Sequence, residues 1–209
     1  MLCTISNGME FLLFLYFIII LSAVFHEFLH AWAADQLGDP TAKLLGRLTL
    51  NPLKHMDLFG TVLLPLFLLF TVGGFIGYAK PVPYNPLNLR DRKYGDTKVA
   101  FAGPAGNFLL AVLFVPLVRF APLEGVFVLA ITWIIYINIF LGLFNLIPIP
   151  PLDGSKLLMN LFPRSRFTLM QLSFVGVFLA IMFAIVFLPG LASLIYYGLT
   201  GQAFLPVKF

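Results

Sequence analysis

The chain has 209 residues, of which 60% are hydrophobic and 11% charged, and its formal net charge is +4. Soluble domains carry about 25% charged and about 45–50% apolar residues, so this composition excludes an ordinary water-soluble fold and points to a polytopic membrane protein. The single cysteine, Cys3, excludes an internal disulfide framework and a cysteine-based zinc site, and no basic run interleaved with aromatics suggests nucleic acid.

A helix needs about 20 apolar residues to cross a bilayer. Runs of that kind predict spans at roughly 9–34, 58–78, 97–120, 125–147 and 168–199, the last broken at Pro189-Gly190. The first run imitates a signal peptide, but it lacks a basic leader and continues into ionisable residues, so it reads as a retained span. The expected fold class is an all-α polytopic membrane protein of about five to six transmembrane helices. Residues 1–209 read as a single domain.

The connections are polar and turn-rich. Residues 37–57 carry Lys43, Arg47 and Lys54. Residues 79–96, "AKPVPYNPLNLRDRKYGD", contain Pro81, Pro83 and Pro86, which forbid a helix there. Lys80, Arg90, Arg92, Lys93 and Lys98 cluster around this stretch, and Lys156, Arg164 and Arg166 follow the fourth span. Lys and Arg mark cytosolic connections, so all three clusters are expected inside and the N-terminus outside. A full crossing by 58–78 would start 79–96 on the wrong side. The expectation is that the Pro-rich stretch returns through the protein interior in extended form, where protein or water covers its backbone.

The chemistry starts at "AVFHEFLHAW". His26, Glu27 and His30 form an H-E-x-x-H inside the first span. On a helix, positions i and i+4 share a face, so both imidazoles can bind one metal while Glu27 reaches a nearby water as general base. Ionisable groups inside a membrane are expensive, which favours function over accident. A third ligand is needed. His55 sits in "NPLKHMD", which reads as a solvated cytosolic turn. Asp153 ends "FNLIPIPPLDG", where Pro148, Pro150 and Pro151 break the helix and Gly154 permits a close approach. Asp153 is the better candidate, although spacing alone leaves an ordinary Asp-Gly turn equally open.

The motifs HEFLH, "GDPTAKLLGRLTLNPLKHMDLFGT", "GYAKPVPYNP", "AGPAGN" and "FNLIPIPPLDG" occur in this order between about residues 23 and 156. Together they resemble the site-2 protease family of intramembrane zinc metalloproteases, in its small bacterial-type branch without a PDZ domain. The resemblance implies one Zn2+ per chain held by His26, His30 and Asp153, with Glu27 as the base. It also implies that Asn145 and Pro151 place substrate near the metal. The activity implied is hydrolysis of a peptide bond within or near the transmembrane segment of a membrane protein. Expected partners are single-span membrane proteins, membrane-embedded peptide remnants and the lipid bilayer, with no nucleic acid. The expected location is the cell membrane, with the active site nearer the cytosol. A silent zinc scaffold and an ion transporter are the rival classes. An intact Glu27 argues against the first, and the lack of an inverted repeat argues against the second.

Further candidates come from single residues. Gly103 and Gly106 suggest close helix approach. Asn107 is a candidate to hydrogen-bond a substrate carbonyl or the oxyanion, with interhelical hydrogen bonding equally open. Asn138 reads as packing. Residues 79–86 are expected to form a strand or hairpin within reach of His26 and Asp153, with an edge through Val82 and Tyr84 open to an unwound substrate. A plain extended linker is the equal alternative.

Overall fold

Leu2–Gln36 form one uninterrupted helix, α1, which delivers H-E-x-x-H in its last third. It stops at Gly38, whose φ of 110° only glycine adopts readily, and the Asp39 N–H closes the end on the Ala34 carbonyl at 2.8 Å. A computed structural model describes residues 2–72, 77, 79–122, 124–165, 171 and 173–204. Beyond α1 come a single turn, α2 (Thr41–Leu44), and a π-helical stretch at Leu58–Leu63 that runs into α3 (Leu64–Val72). The long helices α4 (Gly95–Phe120) and α5 (Val126–Asn145) follow, then the short α6 (Gly154–Leu161) and finally α7 (Ser173–Thr200).

Four helices among the described residues are long and apolar enough to cross a membrane: Glu10–Gln36, Gly95–Phe120, Val126–Asn145 and Val175–Thr200. The all-α polytopic class expected from composition holds. α7 corrects one detail, because it runs through Pro189-Gly190 without a break. Proline is tolerated in membrane-spanning helices, and here the Tyr136 hydroxyl ties α5 to α7 by donating to the Pro189 carbonyl at 3.4 Å.

The second predicted span is described only in part. The helix from Leu58 has six π-helical and nine α-helical residues. That is roughly 22 Å, short of the ~30 Å hydrocarbon core. The remainder of the predicted 58–78 run, residues 73–76 and 78, lies outside the described residues. The basic connections meet at one end of the bundle. Arg90 N–H bonds the Leu37 carbonyl at 2.8 Å, Asn160 bonds the Lys93 carbonyl at 2.6 Å, and Lys156 pairs with Asp96 at 3.5 Å.

Packing centres on α4, which lies against α1, α5 and α7. Ala111, Val118, Ile135, Ile139, Ala192 and Tyr196 form the main buried cluster between α4, α5 and α7. The outer face of α7 leaves Phe178, Ile185, Val186 and Phe187 exposed, as a lipid-facing surface requires. Against α1, α4 presents glycines. A Cβ at Gly106 would run into Leu29 and Phe25, so its absence lets the two backbones close up.

Candidate metal centre

The helix places His26 and His30 one turn apart on the buried side of α1, with 7% and 8% of their surfaces exposed. Their Nε2 atoms are 2.9 Å apart. Asp153 comes from the other end of the fold. α5 ends at Asn145, and the Pro-rich turn carries the chain back to α1. A Cβ at Gly154 would strike the carbonyls of Leu146 and Ile147, so the tightness of this turn requires glycine. Asp153 Oδ2 then lies 3.0 Å from His26 Nε2 and 3.2 Å from His30 Nε2.

The outer nitrogens show what this convergence could hold. His30 Nδ1 is 2.7 Å from the Val99 carbonyl, which can only accept, so Nδ1 carries the hydrogen. His26 Nδ1 is 2.6 Å from Asn107 Oδ1. The Asn107 amide nitrogen is directed away, towards Asn138 Oδ1 at 2.9 Å and the Ser22 carbonyl at 3.5 Å, so His26 Nδ1 is also the donor. In the neutral rings both Nε2 atoms are therefore bare lone pairs, facing each other and a carboxylate. A single proton satisfies only one of these contacts. A cation bound by all three satisfies them together, and two imidazoles with one carboxylate suit zinc with a fourth position open. Gly103 completes the cradle, because a Cβ there would collide with both imidazoles. Among the described residues, His26, His30 and Asp153 are the one group of three that could hold a metal ion.

Glu27 faces a cavity of about 360 Å³ whose wall also includes His26, Asn145, Pro151, Pro81 and His55. One carboxylate oxygen, Oε2, accepts the Val82 N–H at 2.7 Å. Glu27 therefore sits beside the candidate metal ligands without belonging to their group, on the wall of a space large enough for water and a stretch of peptide.

Residues 79–85 run extended past this cavity, with no strand or hairpin among the described residues. Their proximity to the site matches expectation, but the open edge does not. The Val82 N–H is spent on Glu27, and its side chain is buried with Ala31 and Ala42. Tyr84 turns away to donate to Asp96, beneath Lys156. The stretch is anchored instead by Asp39, which accepts the Asn85 N–H at 2.7 Å, Asn88 at 2.7 Å and the Thr41 hydroxyl at 2.6 Å. Burial alone would raise the Asp39 carboxyl. The hydrogen bonds from Thr41, Asn88 and Asn85 outweigh it and hold the group below the ordinary carboxylate range.

Two readings of single residues change. His55 is fully buried rather than solvated. The turn at Pro52–Lys54 folds the ring inward, Nε2 meets the Thr49 carbonyl at 2.8 Å, and the Lys80 N–H caps the His55 carbonyl at 2.9 Å. Asn138 is more than packing, since its amide bonds Ser22 Oγ at 3.0 Å and so closes a Ser22–Asn138–Asn107–His26 chain. The signal available in the sequence was three polar residues, Ser22, Asn107 and Asn138, inside apolar spans. Asn145 bonds the Leu141 carbonyl of its own helix at 3.0 Å and shares the cavity wall with Pro151.

Comparison with known proteins agrees with this geometry. The model of peptidase family M50 matches residues 14–126 and 122–189. YwhC of Bacillus subtilis, named as a zinc metalloprotease, is 39% identical over 155 residues, covering 69% of this chain and 67% of its own length. Rip2 of Mycolicibacterium smegmatis, named likewise, is 36% identical over 138 residues, covering 65% of this chain and 52% of its own length. MJ0611 of Methanocaldococcus jannaschii is 44% identical over 62 residues, 29% of this chain and 32% of its own. The chain thus spans about two thirds of YwhC and about half of Rip2. No solved structure matches. On the family match, the chain belongs to peptidase family M50, the site-2 protease family of zinc metalloproteases.

Proposed function

We propose that the chain is an intramembrane endopeptidase in which His26, His30 and Asp153 hold zinc and Glu27 is the general base. The observation that carries this reading is the position of Glu27, on the cavity wall next to three converging ligand atoms and within the apolar helices. Zinc held there supplies a Lewis acid that polarises the scissile carbonyl and lowers the pKa of water to about 7. Glu27 accepts the proton of the attacking water and returns it to the departing amine. Ser22, Asn138 and Asn107 orient His26, and Val99 orients His30. Asn145 and Pro151 hold the substrate backbone against the cavity wall.

The substrates in this reading are single-span membrane proteins or the peptide remnants of earlier cleavage. A helical substrate hides its peptide bonds in i to i−4 hydrogen bonds, so it has to unwind locally before it fits. The basic connections gathered at one end of the bundle support a cytosolic location for that end, with the N-terminus outside and the site nearer the cytosol. The cell membrane is the proposed location. The test is cleavage of a reconstituted single-span protein before and after zinc is removed by a chelator. Zinc-dependent fragments support the reading, and fragments unchanged by chelation overturn it.

A further inference from the structure

Arg47 is buried, with 8% of its surface exposed, and no carboxylate among the described residues pairs with it. Its Nη2 donates to the Lys80 carbonyl at 2.8 Å and reaches the Pro81 carbonyl at 3.4 Å. Its Nε is buried with no partner at all. A lone buried guanidinium is costly, so its retention calls for a task that a neutral side chain would not perform.

The task is visible in what Arg47 holds. Lys80 is gripped from both sides, by Arg47 at its carbonyl and by the His55 carbonyl at its N–H, 2.9 Å away. Two residues further on, the Val82 N–H donates to Glu27 Oε2 at 2.7 Å. Asp39 fixes the far end at Asn85. The backbone donor on Glu27 is thus the middle of a short stretch pinned at both ends. A carboxylate held by one oxygen keeps its rotation fixed and leaves the other oxygen for proton transfer.

We propose that Arg47 is a positioning residue for Glu27, acting through the peptide 80–82. The proposal rests on Glu27 being the base. Without Arg47 the Lys80 and Pro81 carbonyls lose their donor, Val82 drifts, and the carboxylate swings freely. A misplacement of about 1 Å at a reacting group costs up to about 100-fold in rate.

The test combines Arg47→Met, Arg47→Lys, Val82→Pro and Val82→Ala. The probe is a doubly labelled single-span helical peptide with a central Asn-Gly pair, in liposomes. Arg47→Met and Val82→Pro are each expected to lower kcat about tenfold or more, with KM within about threefold and zinc content unchanged. Arg47→Lys, which restores one donor, recovers most of the rate, and Val82→Ala, which keeps the N–H, loses less than Val82→Pro. The double variant Arg47→Met/Val82→Pro is no slower than Val82→Pro alone, because both act through one hydrogen bond. Without substrate, hydrogen exchange at 80–84 speeds up in Arg47→Met while α1 and α4 stay protected. Wild-type kcat in Arg47→Met, or multiplying losses in the double variant, overturns the proposal. So does loss of zinc or fold in both Arg47 variants, which would make the residue purely structural. Glu27→Gln run alongside separates the two readings. If it is inactive while Arg47→Met is fully active, only the positioning role fails; if it is active, the base assignment fails.

Discussion

His26 Nδ1 lies 2.6 Å from Asn107 Oδ1, and Asn107 has no other acceptor to offer. Its donors are committed to Asn138 and Ser22. Asn107 is therefore placed to orient an imidazole rather than to meet a substrate carbonyl. Asn107→Ala is expected to weaken zinc binding about 10- to 100-fold, as loss of an outer hydrogen bond to a ligating histidine does. Competition against a chelator of known affinity measures this. An unchanged affinity with a fall in kcat would return Asn107 to the oxyanion role.

Gly103 gives a second prediction. Any Cβ there meets both His26 and His30 imidazoles. Gly103→Ala is expected to keep α4 helical, since alanine favours a helix by about 1 kcal/mol over glycine, yet to lose stoichiometric zinc. A variant with full zinc content would show that α1 and α4 separate easily, against the tight approach described here.

The third ligand is tested by contrast. Asp153→Ala is expected to leave fewer zinc ions per chain than the wild type under the same dialysis. His55→Ala is expected to keep its zinc, because His55 is not in the ligand group. It should instead lose about 1–3 kcal/mol of stability, because the Thr49 carbonyl is left without its partner. Equal zinc loss in both variants would contradict the assignment.

Asp39 predicts a pH dependence. Its carboxyl is held below the ordinary value in the folded chain, so the folded state binds fewer protons there than the unfolded state. The stabilisation is complete above the unfolded value of about 3.9 and disappears as pH falls through the lower folded value. Thermal midpoints of wild type and Asp39→Asn in detergent should differ at neutral pH and converge in acid. A gap that stays constant would mean that Asp39 does not carry the effect.

The parts of this molecule that were legible in the sequence are those written in short-range spacing. The helical register of His26, Glu27 and His30 follows from the i, i+4 geometry, and the helix break before Asp153 follows from three prolines. The joining of these two sites, 127 residues apart, rested on resemblance. What the sequence concealed depends on contacts between distant segments. Whether Asn138 packs or bonds depends on Ser22, 116 residues away. His55 looked like a surface residue because its neighbours are polar, whereas the fold turns its ring inward to the Thr49 carbonyl and sets the Lys80 N–H on its own carbonyl. The Val82 N–H looked free because no local pattern announces Glu27, 55 residues upstream, as its acceptor. Pro189-Gly190 looked like a break because both residues disfavour helices in water, while α7 packs against α5.

The central claim is that Glu27 and the zinc held beside it cut a peptide bond inside the membrane. The most direct measurement is mass spectrometry of fragments from a single-span substrate incubated in liposomes with zinc-loaded wild type or Glu27→Gln. The account predicts a cut within or at the edge of the span for the wild type. It predicts no fragments for Glu27→Gln, although that variant binds the same amount of zinc. Fragments from Glu27→Gln at a near wild-type rate, or wild-type cuts confined to the soluble part of the substrate, would contradict it.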